Sequence, residues 1–160
     1  IAACLDGVIL VPAYTTHTAH EIQYLIEKSG ASAAVVSDGM LRNRLETITT
    51  SGHFTMYVVS NADQHLFPDL AESEYAPGDD LGTDVLYALV ATSGTNGLPK
   101  LVALTQRNLE ANVSSILEVL RDANLVQPHR FLSFLPLAHA YEHMAGLYLP
   151  LYLGGEIFYC

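Results

Sequence analysis

The stretch Thr92-Ser93-Gly94-Thr95-Asn96-Gly97-Leu98-Pro99-Lys100 decides how this chain is read. It packs three hydroxyls, two glycines and a lysine into one short segment. It follows an apolar run, Val85 to Val90, with the character of a buried strand. Glycine lets the backbone turn through positive φ and lets a ligand approach the main chain closely. Successive N–H groups in such a turn form an anion-binding nest, and a lysine adds a mobile positive charge suited to phosphate. The pattern therefore predicts a polyphosphate site.

The P-loop pattern G-x-x-x-x-G-K-[ST] is not met. Gly94 and Gly97 stand too close together, Pro99 precedes the lysine and Leu101 follows it. A Walker-type NTPase is disfavoured. A plain polar turn between strands would use the same Ser, Thr, Gly and Pro, but it accounts for neither the lysine nor the density of hydroxyls.

Thr92 to Lys100, continued by Val102, Leu104, Thr105, Arg107, Asn108 and Leu109, resembles the signature loop of the adenylate-forming enzymes. That family includes acyl-CoA synthetases, luciferases and peptide-synthetase adenylation domains. A second segment, Leu132-Ser133-Phe134-Leu135-Pro136-Leu137-Ala138-His139 with Glu142, is similar to a second family motif in its long-chain fatty acyl-CoA synthetase form. A weaker similarity covers Val8 to Asp38, through Val11-Pro12-Ala13-Tyr14, Glu21-Ile22 and Ser29-Gly30-Ala31. The chain departs from the family at Asn96, where Thr or Ser is usual, at Leu101, where Gly is usual, and at Gln106, where His is usual.

The resemblance implies an α/β fold with mainly parallel sheet, an incomplete part of a large N-terminal domain, with the small C-terminal domain absent. It implies ATP-dependent activation of a carboxylic acid, of the long-chain fatty type, to an acyl adenylate and then a CoA thioester. ATP, Mg²⁺ and CoA would be the cofactors or substrates. Thr92, Ser93, Gly94, Thr95, Asn96, Gly97 and Lys100 would hold the ATP phosphates, Lys100 being the catalytic charge, and His139 would lie at the substrate pocket. Other readings stay open: amino-acid adenylation, a luciferase-like ligase, or a non-catalytic nucleotide-binding homologue.

Composition narrows the field. Half of the 160 residues are hydrophobic and only 15% are charged, with a mean hydropathy of +0.25. That suits strands covered on both faces, or a piece of a larger protein. A start at Ile1 without methionine and an end at Cys160 inside an apolar run favour a fragment, expected to be inactive alone. The net charge of −10, with 7 Lys+Arg, argues against nucleic-acid binding. There is no unbroken apolar run of about 18 residues to span a membrane. The expected location is cytoplasmic, or peripheral to an intracellular membrane. Cys4 and Cys160 read as small buried hydrophobes of a reducing compartment.

Strand and helix signals alternate. Strands are expected at Val8–Pro12, Ala33–Ser37, Thr55–Ser60, Val85–Ala91, Leu101–Leu104, Arg130–Leu135 and Ile157–Tyr159. Helices are expected at Thr18–Lys28, opened by a Thr18/Glu21 capping box, at Met40–Thr49, and from a Thr105 cap to about Asp122. The last carries an apolar stripe of Leu109, Val113, Ile116, Leu117 and Leu120. Ala138–Leu153 reads as a helix interrupted by Pro150, and residues 61–80 as a flexible loop.

His139-Ala140-Tyr141-Glu142-His143 also matches H-x-x-E-H, an inverted zinc-peptidase pattern. No third ligand follows, and no zinc or other metal site is expected among these residues. Glu142 reads as a structural hydrogen-bond partner or, with His143, as part of a solvated helix start. His17, His20, His53, His65 and His129 read as surface residues; Tyr148, Tyr152 and Tyr159 read as core or pocket lining.

Overall fold

A computed structural model describes residues 7–48, 54–58, 82–92, 98–124 and 129–160. The loop residues Ser93 to Gly97, the expected flexible loop 61–80, and Cys4, His53 and His65 lie outside the described residues. The chain divides into two compact units, one of residues 15–77 and 93–99, the other of residues 1–14, 78–92 and 100–160.

In the first of these, α1 (Ala19–Ser29) starts as its sequence dictates. Thr18 Oγ1 accepts from Glu21 N–H, and the Glu21 carboxylate accepts from Thr18 N–H at 2.7 Å. The bonds that the Thr18 N–H and hydroxyl give to the Glu21 carboxylate hold it below its ordinary pKa. The helix ends at Gly30, φ 68°. Strands β1 (Ala33–Val36) and β2 (Thr55–Val58) pair in parallel, Ala33 opposite Thr55. Between them runs α2 (Gly39–Glu46), capped by Asp38. The expected end of α2 at Thr49 retreats to Glu46. Leu25 and Leu45 are the buried residues of these helices.

The second unit carries the candidate site. β3 (Leu86–Thr92) and β4 (Lys100–Thr105) form an antiparallel hairpin. The residues linking them are too few for the crossover of roughly a dozen that a parallel pair requires. The other pair here, β5 (Arg130–Ser133) with β6 (Glu156–Tyr159), is parallel, as alternation with helices predicts.

The expected strand at Val8–Pro12 is reduced to one parallel bridge, Leu10 with Ala88. Leu10 N–H donates to Tyr87 O, and Leu89 N–H donates to Leu10 O. The next donor in that ladder would be residue 12, a proline, which has no N–H to give.

Helix α3 (Gln106–Asp122) opens at Thr105, whose Oγ1 accepts from Asn108 N–H, while Asn108 Oδ1 accepts from Thr105 N–H at 2.9 Å. Its predicted stripe packs inward. Val113 and Leu117 are buried against Leu149, with Leu109, Ile116, Met144 and Leu153 around them. A second core of Tyr87, Ala88 and Val90 also reaches Leu109, so this residue joins the two.

The expected helix at 138–153 is three pieces: α4 (Ala140–Glu142), a π-helical segment (His143–Tyr148) and α5 (Leu149–Tyr152). Pro150 does not break the chain. The wide turn comes just before it, and Leu149 N–H reaches back five residues to Met144 O. A proline ring crowds the carbonyl four residues earlier, and a widened turn relieves that crowding. Tyr152 and Tyr159 are exposed rather than core, and Cys160 is exposed rather than buried. His20 is exposed; His17 and His129 are half-buried.

Candidate active site

The hairpin register places Thr92 directly opposite Lys100. The Thr92 hydroxyl donates to the Lys100 carbonyl at 3.3 Å. The two ends of the glycine segment are thus pinned together, with both end residues exposed. Lys100 pairs with no acid among the described residues. An exposed ammonium without a carboxylate partner among the described residues, on the residue that follows the Gly/Ser/Thr-rich segment in sequence, is available to an incoming anion.

His139 caps α4. Its Nδ1 accepts from Tyr141 N–H at 3.2 Å. A ring nitrogen that accepts carries no proton, so in the neutral ring Nε2 bears the N–H. His139 is exposed and so presents a donor outward. No hydrogen bond among the described residues links it to Thr92 or Lys100.

The neighbouring acid and base are not a solvated helix start. Glu142 is 3% exposed and His143 7%. His143 Nδ1 lies 3.1 Å from Leu137 O, and since a carbonyl only accepts, Nδ1 is the protonated nitrogen. Its Nε2 is buried with no partner among the described residues, as is Glu142 Oε1. Burial lowers the His143 pKa below the ordinary 6.5, partly offset by the bond to Leu137. The imidazole packs between two phenol rings: Tyr148 edge-on at 5.2 Å, and Tyr87 stacked at 6.3 Å with an interplanar angle of 18°.

Tyr87 is the residue that sequence reading overlooked. It sits where the β3–β4 register slips, between the pairs Leu86–Thr105 and Ala88–Leu104. Such a bulge re-aims a side chain. Here it lets two successive residues, Tyr87 and Ala88, both be buried. A cavity of about 180 Å³ opens beside this cluster, between Tyr87, Val90, Asn108, Asn112, His143 and Met144. Among the described residues no group of three or more His, Cys, Asp or Glu side chains gathers as a metal site.

The model of the AMP-binding enzyme family matches residues 1–160. The chain belongs to that family. Among curated proteins it is 26% identical over 158 residues to long chain acyl-CoA synthetase 3 of Arabidopsis thaliana, covering 86% of this chain and 24% of that one. It is 29% identical over 159 residues to the mitochondrial malonate–CoA ligase ACSF3 of Xenopus laevis, covering 96% and 26%. The chain thus spans about a quarter of the length of these relatives. Among solved structures, ATP-bound MatB from Rhodopseudomonas palustris superposes with a TM-score of 0.81 at 23% identity, over 97% of this chain and 30% of that one. The fold is that of part of the N-terminal domain of adenylate-forming enzymes, as the two motifs imply. No helix among the described residues is long and apolar enough to cross a membrane.

Proposed function

We propose that the intact protein activates a carboxylic acid with ATP and passes the acyl group to CoA, the acid being a long-chain fatty acid. The substrate carboxylate attacks the α-phosphorus, pyrophosphate leaves, and an acyl adenylate forms. The CoA thiol then attacks the acyl carbonyl and AMP leaves. Charge builds on the departing pyrophosphate, and preorganised donors with a cation stabilise it.

One observation carries this reading: Thr92 and Lys100 face each other across the hairpin and pin the ends of the glycine segment, with the lysine paired to no acid among the described residues. Lys100 would supply the charge, Thr92 and its neighbours Ser93, Gly94, Thr95, Asn96 and Gly97 the hydroxyl, amide and backbone donors. His139 would turn its Nε2–H to the carboxylate end of the substrate. Mg²⁺, when bound, would share the phosphate charge; among the described residues no group of acids gathers to hold it.

The long-chain substrate rests on the form of the segment Leu132 to His139 with Glu142, and on relatives named as long-chain acyl-CoA synthetases. A malonate–CoA ligase is equally among the relatives. ATP–pyrophosphate exchange by the intact protein separates them. Palmitate is expected to support exchange and malonate not. Exchange with malonate alone would overturn the long-chain assignment; exchange with no acid would overturn the ligase reading.

A further inference from the structure

His143 lies outside the phosphate segment and is not at the exposed His139 position, yet its ring is buried, bonded to Leu137 and packed on Tyr87 and Tyr148. Three bonds close the turn that carries His139. His139 N–H donates to Pro136 O at 2.8 Å, His143 N–H donates to His139 O at 2.9 Å, and His143 Nδ1–H donates to Leu137 O at 3.1 Å. His143 supplies two of these three, one by its backbone N–H and one by its ring, while Tyr141 N–H holds the His139 ring itself. Its ring is held in turn by Tyr148 and by Tyr87. Tyr87 belongs to β3, the strand that ends at Thr92 and pairs there with Lys100. One imidazole therefore touches both the turn that presents His139 and the strand that delivers the phosphate segment.

We infer that His143 is a positioning residue, whose bond to Leu137 and packing on Tyr87 set His139 in register with the Thr92–Lys100 hairpin. This rests on the proposed ligase function, in which His139 meets the acid substrate. Because Nδ1 donates to a carbonyl, what the position requires is a donor at that atom and a neutral, buried body. Asparagine places an amide N–H2 close to where Nδ1 sits; leucine has a similar shape and no donor. Both lose the ring stacking equally, so a comparison of the two isolates the hydrogen bond.

The test uses the intact protein with His143→Asn and His143→Leu, each assayed by ATP–pyrophosphate exchange at varied palmitate and varied ATP. His143→Leu is expected to raise the KM for palmitate roughly two- to tenfold over His143→Asn, the worth of one hydrogen bond. The KM for ATP should stay level, and both variants should melt at similar temperatures. A purely structural role would lower kcat in both without separating the two KM values. Equal palmitate KM in Asn and Leu would overturn the inference.

A second readout does not depend on catalysis. Nitrogen-15 NMR of the wild type should show His143 protonated at Nδ1 and His139 at Nε2, with the His139 pattern kept in His143→Asn and lost in His143→Leu. A wild-type His143 protonated at Nε2 would overturn the inference even if exchange activity is present. The predicted NMR pattern without any exchange would instead leave the positioning intact and reject the ligase reading.

Discussion

The Glu142 carboxylate lies against Gly146, one turn further on, and fills the space where a β-carbon would stand. A Cβ built on Gly146 would meet Glu142 Oε1 and would come within 2.6 Å of its carboxyl carbon. The glycine is thus what allows a buried acid to fold back along the π segment.

Gly146→Ala should therefore destabilise the protein. In an ordinary helix this change is favourable by up to about 1 kcal/mol. Here overpacking should outweigh that and cost about 1–3 kcal/mol. Urea denaturation checks it, and Glu142→Ala in the same chain should recover most of the loss, since the two residues share one space. A neutral or stabilising Gly146→Ala would show that the acid lies elsewhere.

Acid should weaken the fold through His143. Its pKa in the folded state is below the ordinary 6.5, because burial disfavours the imidazolium. The unfolded chain titrates near 6.5 and binds the proton first. Stability is therefore complete above that value and falls as pH drops from it toward the folded pKa, then levels off. Urea midpoints of the wild type should fall between about pH 7.5 and 5.5. His143→Phe, which has no proton to take up, should show a shallower fall. Parallel curves for the two would assign the acid sensitivity to other groups.

The sequence made some of this legible and hid the rest for identifiable reasons. Caps at Thr18 and Thr105 and the inward stripe of α3 are local patterns, and they stand where the residues place them. The pairing direction of β3 and β4 could have been read from the short link between them. The reduction at Val8–Pro12 could not, because it depends on the neighbouring strand needing a donor at residue 12, where proline has no N–H. The burial of His143 depends on Tyr87, some fifty residues earlier, and on a bulge with no local signature. Within H-x-x-E-H the residue types were visible, but not that His139 would face out and His143 in.

Thr105→Ala should loosen the start of α3. Thr105 and Asn108 satisfy each other's N–H groups, with Asn108 in the place where a capping box usually has Glu or Gln. Loss of the hydroxyl should cost about 1 kcal/mol, read as a lower urea midpoint. Thr105→Ser keeps the acceptor and should lose much less. Equal losses in both would mean that the methyl group, and not the cap, matters.

Lys100→Ala separates chemistry from folding. The side chain is exposed and has no acid partner among the described residues, so its removal takes away charge and little packing. Stability should change by less than about 0.5 kcal/mol, as for most surface substitutions. If the ammonium meets phosphate, losing that charged hydrogen bond is worth about 1.5–3 kcal/mol. That corresponds to a roughly ten- to hundredfold slower ATP–pyrophosphate exchange by the intact protein. Lys100→Arg keeps the charge but changes its shape from a point to a planar fork, and should recover only part of the rate. Thr92→Val serves as the companion variant, since it removes the hydroxyl that reaches the Lys100 carbonyl and should slow exchange with a small loss of stability. An unchanged exchange rate in Lys100→Ala, with the fold intact, would remove this lysine from the phosphate site and with it the main support for the proposed reaction.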